Sequence, residues 1–153
     1  MIRSQASAII SRPAADVFEY VATDFFQNYQ HWSPEVISLQ ATTDGPVGLG
    51  ARGRQVRIDM GVRSECSFRV SVFEPARRVD FQCTSTPMLS SYRIDELGNG
   101  ARLTFVFEYS GSSFLLRPFR RYIHSTVQRG AQQVVSNIKG LVESGVISSF
   151  NHQ

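Results

Sequence analysis

The chain has 153 residues, which suits one domain with a sizeable buried core. Hydrophobic residues make up 42% of it and charged residues 19%, a balance that excludes a disordered chain. The formal net charge is +3, and the arginines are spread singly among apolar residues rather than gathered in a basic stripe, so nucleic acid is not an expected partner.

The N-terminal third predicts one strand followed by two short helices. Residues 5–11 are mostly small or apolar and predict the strand. Pro13 in a first turn and Asp16 soon after it mark a helix start. A second short helix is expected from residue 24 to about residue 30, because Pro34 disfavours helical structure just before it.

From residue 36 the apolar residues recur at every second position, which is the period of a half-buried strand. The pattern predicts strands at residues 36–42, 55–60, 62–72, 78–84, 88–97 and 102–109. The links between them are rich in turn residues, as in the hairpin signal Gly98-Asn99-Gly100. With the first strand, they predict an antiparallel sheet of six to seven strands that has one polar face.

Each strand has an apolar face that we expect to point inward. On the third strand this face carries Val56, Ile58 and Met60, so Gln55 and Arg57 are expected to point outward. On the later strands the inward face carries Cys66, Phe68, Phe81, Tyr92, Phe105 and Phe107.

One long segment remains to cover the inward face of the sheet. Residues 118–144 predict a helix with Gly145 as its stop. Its apolar stripe consists of Ile123, Val127, Ala131, Val134, Ile138 and Leu141. We therefore expect the helix to lie across the concave face of the sheet.

This order of elements and four local motifs resemble the START-like, or SRPBCC, superfamily, and within it the polyketide cyclase/dehydrase-type proteins. The motifs are PAADVFEYV (residues 13–21), GPVGLGAR (45–52), FEPARRV (73–79) and LGNGARLT (97–104). The resemblance implies a helix-grip α+β fold. It also implies a single START-like ligand-binding domain over residues 1–153, with residues 145–153 as a frayed tail.

The same resemblance implies a cavity between the sheet and the C-terminal helix. Its wall would carry the inward aromatic residues Phe68, Phe81, Tyr92, Phe105 and Phe107. The alternative is that there is no cavity and these side chains fill a solid core. The hydroxyl of Tyr92 stands out because a buried hydroxyl needs a partner.

Other candidate ligand-binding residues lie near the cavity mouth. Arg54, like Arg52, shares the parity of Val56 and either points inward, where it would hold a carboxylate or phenolate, or is turned to solvent by a bulge at Gly53. The remaining candidates are Trp32 in the loop before the second strand, and Arg120, His124 and Val127 on the first turns of the long helix.

The cysteines and the N-terminus predict the location of the protein. Cys66 and Cys83 have no CxxC spacing and no flanking histidine, which disfavours a zinc site and a disulfide framework and predicts buried free thiols. The N-terminus does not read as a signal peptide, and no window has the ~20 apolar residues of a membrane span. We expect a cytoplasmic monomer or homodimer with no metal, no cofactor and no integral membrane segment.

Three functions remain open on the sequence. The first is a protein that binds or carries a small hydrophobic or aromatic molecule, lipid-like or polyketide-like. The second is a cyclase/dehydratase-type enzyme acting on a polyketide-like substrate, for which Tyr92, His124 and Arg54 are the candidate polar groups. The third is a protein- or membrane-interaction module that uses the apolar and basic residues 115–122.

Overall fold

A computed structural model describes residues 1–111 and 120–145, without the side chains of residues 120–122. The strands are β1 Ile2–Ile10, β2 Val36–Ala41, β3 Arg52–Asp59, β4 Val62–Glu74, β5 Arg78–Cys83, β6 Met88–Leu97 and β7 Gly100–Tyr109. The helices are α1 Ala14–Phe18, α2 Phe25–Trp32 and α3 Arg120–Glu143, and a π-helical turn, Glu19–Thr23, follows α1 directly.

The described strands form one antiparallel sheet in the order β1-β7-β6-β5-β4-β3-β2. Helix α3 packs on β1 and β7 and touches α2. It buries Ala131, Val135, Ile138 and Val142 against the sheet, with Val134 and Leu141 partly buried beside them. The α+β helix-grip fold predicted from the sequence is confirmed.

The predicted faces of β3 are wrong. Gly53 lies on the inner face, beneath the rings of Phe68 and Phe26. Because strand residues alternate, Gln55, Arg57 and Asp59 share that inner face, and Ile58 on the other face is exposed. The strand pairs with β4 in unbroken register, so there is no bulge at Gly53.

The two cysteines are joined to each other, which contradicts the expected free thiols. Cys83 lies opposite Phe68, so Cys66 is its diagonal neighbour on the same inner face. Their Cα atoms are 6.0 Å apart, a usual separation for a disulfide, and the structure contains the Cys66–Cys83 bond. Both residues are buried, as the sequence predicts.

No helix within the described ranges is both long enough and apolar enough to cross a bilayer. From residue 146 onward, the tail that was expected to fray lies outside the described residues.

The hairpin between β3 and β4 exposes the apolar side chains of Met60 and Val62.

Candidate functional site

A cavity of about 480 Å³ lies between the inner face of the sheet and helices α2 and α3. Eight aromatic side chains line it: Phe25, Tyr29, Trp32, Phe68, Phe81, Tyr92, Phe105 and Phe107. Most of this wall comes from alternate positions on β4 to β7, where side chains at i and i+2 point to the same side. The volume is within the range of small-molecule sites in proteins.

Helix α2 completes the aromatic wall. Phe25, Tyr29 and Trp32 are spaced by four and three residues, which places them on one face of the helix. The ring of Phe25 stacks on Tyr29 and on Phe81, with centroids 4.6 Å and 4.2 Å apart. The rings from α2 and from the sheet therefore form one continuous aromatic surface.

The hydroxyl of Tyr92 has the partner that its burial requires. Trp32 Nε1 donates a hydrogen bond to Tyr92 Oη at 3.4 Å, in the interior of the protein. The carbonyl oxygen of Trp32 accepts a hydrogen bond from Asn137 Nδ2 at 3.0 Å, which ties α2 to α3. The first bond holds the Trp32 indole to the sheet, and the second holds the backbone of Trp32 to the long helix.

A polar zone at one part of the cavity wall centres on Arg57 of β3. The guanidinium donates to Asp59 through Nε at 2.7 Å and through Nη2 at 3.0 Å, a bidentate pair. Its Nη1 lies 3.5 Å from Tyr29 Oη. Ser33 and Glu35, from the link between α2 and β2, also line this zone.

The electrostatics of the wall keep the arginine charged and the phenols neutral. Burial opposes the charge of Arg57, but its hydrogen bonds with Asp59 outweigh that effect and raise its pKa. Burial raises the pKa of Tyr29 and of Tyr92 above the ordinary tyrosine value. Both hydroxyls are therefore hydrogen-bonding groups rather than bases at neutral pH.

Beside this pair is a polar atom with no partner in the described structure. The side-chain oxygen Oε1 of Gln55 is buried and accepts no hydrogen bond there. Gln55 lines the cavity two residues before Arg57 on the same face of β3. The Gln55 amide group also interacts with the Tyr29 hydroxyl, whereas its Oε1 atom is left without a donor, which costs free energy.

The remaining wall comes from α3 and is mostly small or neutral. Val127, Gly130 and Val134 face the cavity at helical spacing, together with the neutral Gln133. Within the described residues no group of three or more His, Cys, Asp or Glu side chains could hold a metal ion.

A family model described as polyketide cyclase/dehydrase and lipid transport matches residues 1–143. The chain belongs to this family. The family's own description covers both enzymes and carriers, so the residues in the cavity have to decide between them.

Solved structures show the same fold at low sequence identity. TTHA0849 from Thermus thermophilus is 16% identical with a TM-score of 0.75, over 94% of this chain and 99% of that one. The Zhui aromatase/cyclase from a Streptomyces species is 17% identical with a TM-score of 0.73, over 94% of both chains. The Polyketide_cyc-like protein from Corynebacterium glutamicum is 19% identical with a TM-score of 0.66, over 99% of this chain and 96% of that one. A comparison with curated protein sequences finds no match.

The structure brings together most of the site residues expected for a member of this family. The expected residues that line the cavity are Trp32, Phe68, Phe81, Tyr92, Phe105, Phe107 and Val127. Their role in ligand binding remains a prediction. The side chain of Arg120 lies outside the described residues.

Two expected site residues lie away from the cavity. The side chain of Arg54 is 49% exposed and pairs with Glu65 at 2.7 Å, because the strand turns this position outward. His124 is exposed on α3 and does not line the cavity. The three groups considered for catalysis, Tyr92, His124 and Arg54, are therefore not brought together.

The sequence interpretation missed the polar zone. The apolar parity of β3 predicts an outward position for Gln55 and Arg57, whereas both residues line the cavity. A glycine inside a strand often marks a close approach of another chain segment, and Gly53 has the same parity as Arg57. That glycine is the sequence signal that could have located the polar zone.

Proposed function

We propose that this protein binds and carries a small hydrophobic or aromatic molecule in the cavity between the sheet and α3. The observation that carries the proposal is the combination of a continuous aromatic wall with charged groups that are already paired with each other. Such a wall gains free energy by removing apolar ligand surface from water. The two cavity cysteines are joined in a disulfide, so neither is a free thiolate for nucleophilic attack.

The proposal is tested by measuring the binding of a neutral hydrophobic dye, N-phenyl-1-naphthylamine, together with native mass spectrometry of freshly purified protein. Val134→Phe adds bulk to the cavity wall and should weaken dye binding by about tenfold or more, equal to about 1.4 kcal/mol. Gln132→Phe adds the same ring to an exposed position of α3 and should bind the dye like the wild type. Absence of dye binding by the wild type, or equal affinity in both variants, would contradict the proposal.

A second candidate is a cyclase/dehydratase-type activity in the same cavity. It is supported by the family description and by the structural likeness to the Zhui aromatase/cyclase. In this chain Tyr29 and Tyr92 line the cavity, and their hydroxyls would supply the hydrogen bond to a carbonyl oxygen that enol or aldol steps need together with a proton acceptor. Mass spectrometry of a poly-β-carbonyl compound incubated with the protein would detect the loss of one water, and no loss of water would argue against the activity.

A further inference from the structure

Few of the charges among the cavity-lining residues are available to a ligand. Among the described lining residues four are charged: Glu35, Arg57, Asp59 and Glu65. Three of these are carboxylates and one is a guanidinium. The Glu65 carboxylate is bound by Arg54 and Arg63 on the outer side of the sheet, and Glu35 is exposed. The charged groups that a ligand meets are therefore mainly Arg57 and Asp59, which are paired with each other.

A negatively charged ligand would have to compete with Asp59 for the guanidinium of Arg57. Arg57 donates hydrogen bonds from Nε and Nη2 to Asp59, and the negative charge of Glu35 also attracts the guanidinium. The other wall carboxylate, Glu65, is already paired with Arg54 and Arg63 from the outer side of the hairpin. Binding a carboxylate or phosphate here would remove it from water without offering a free cation in return, which is costly.

The unpartnered side-chain oxygen of Gln55 favours a hydrogen-bond donor on the ligand rather than an anionic group. Gln55 Oε1 is an acceptor and needs a donor. A hydroxyl group on the ligand would supply that donor, and the two phenol oxygens of Tyr29 and Tyr92 are further polar contacts on the same wall.

We infer that the ligand is an uncharged, hydroxyl-bearing aromatic or alicyclic molecule whose hydroxyl donates to Gln55 Oε1, and that carboxylates and phosphates are rejected. This inference rests on the proposed carrier function and specifies its ligand class. Long-chain fatty acids and phospholipids, which carry a fixed negative charge, fall outside that class.

Four probes with the same ring system test the inference by titration calorimetry on the intact protein. They are 2-naphthol, 2-methylnaphthalene, 2-naphthoate and 2-naphthylmethylammonium. The naphthol should bind about fivefold more tightly than methylnaphthalene, the effect of one neutral hydrogen bond. The naphthoate should bind more weakly than methylnaphthalene, because it brings a charge without a partner.

A gain of binding by naphthoate alone provides the sharper test, since a loosened variant would change the binding of all four naphthalene probes. Asp59→Asn removes the negative charge that faces Arg57 and one of its two acceptors, and it should strengthen naphthoate binding by at least about tenfold. Asp44→Asn makes the same change of charge in an exposed loop that does not line the cavity, and it should leave naphthoate binding as it is in the wild type. Gln55→Leu should remove the preference for naphthol over methylnaphthalene and keep the binding of methylnaphthalene.

The outcomes separate the ligand class from the carrier function. Naphthoate binding as tight as naphthol binding in the wild type would overturn the inference and leave the carrier function standing. The same holds if the ammonium binds most tightly, or if Asp59→Asn gives no gain. Failure of all four probes to bind would overturn both.

Discussion

Replacing Gly53 with alanine should destabilise the protein, because the new methyl group has no room on the inner face of β3. A Cβ atom there would lie 2.5 Å from Phe68 Cζ and 2.9 Å from Phe26 Cε1. Carbon atoms prefer separations of about 3.5–4.0 Å, so the ring of Phe68 would have to move by about 1 Å. Its neighbours Phe25 and Phe81 restrict that movement, and the open direction is towards the cavity.

The size of the effect follows from two opposing contributions. Overpacking a buried site costs about 1–3 kcal/mol. Restricting the unfolded chain by removing a glycine returns about 0.4–1 kcal/mol. The net loss in the free energy of unfolding should be about 1–2 kcal/mol, which for a chain of this size lowers Tm by about 2–8 °C.

Equilibrium unfolding in urea measures this difference, and the dependence of the free energy on urea concentration should stay unchanged. Gly98→Ala is the matched control, since a Cβ at Gly98 meets nothing within 4 Å. The reasoning would be refuted if Gly53→Ala were as stable as the wild type, or if Gly98→Ala lost as much stability. The displaced Phe68 ring should also reduce the affinity for naphthalene probes in the Gly53→Ala variant.

Three further perturbations test separate features of the structure. Tyr92→Phe leaves Trp32 Nε1 buried without its acceptor and should cost about 1–3 kcal/mol in urea unfolding, so unchanged stability would contradict the hydrogen bond. Burial raises the pKa of Tyr20 from 10.0 to about 12, so the folded state keeps a proton that the unfolded state loses. Stability should therefore fall as the pH rises from about 10 towards about 12, and a Tyr20→Phe variant with an equally steep loss would disprove the assignment to this residue. Reduction of Cys66–Cys83, which are 17 residues apart, should lower the free energy of unfolding by about 3 kcal/mol. Alkylation of both cysteines in denatured, unreduced protein would show that the bond is absent.

The fold was predictable where alternation and burial agree. On β5 and β7 the apolar residues Val79, Phe81, Leu103 and Phe105 are all buried on the inner side. The stripe of α3 was predictable in part, because a helix packed on a sheet buries one face. Ala131 and Ile138 are buried as predicted, but the face also buries Val135 and Val142, while the predicted Val134 and Leu141 are only partly buried. These elements bury hydrophobic side chains against the core. In the sequence this burial appears as apolar residues at a period of two residues on strands and of 3.6 residues on the helix.

The polar zone was not predictable by the same rule. A strand that lines a polar part of a cavity carries its polar residues inward, so the usual relation between hydrophobicity and burial is reversed at Gln55 and Arg57. The apolar side chains of Ile58, Met60 and Val62 are exposed instead. Period-two alternation identifies two faces of β3 but not which of them is inside.

The disulfide was missed for a different reason. Its formation depends on the register between β4 and β5, which places Cys83 opposite Phe68 rather than opposite Cys66. That register includes an irregularity between Val70 and Val72, which the sequence does not reveal. Spacing along the chain alone therefore could not pair the two cysteines.

The position of Trp32 gives the protein a built-in optical reporter. The sequence contains one tryptophan, so its emission spectrum arises from a single indole. That indole is 1% exposed, lines the cavity and borders the rings of Tyr20, Tyr29 and Tyr92. Molecules that enter the cavity should change the wavelength, intensity or lifetime of this one emitter, so occupancy can be followed in unlabelled protein and in real time.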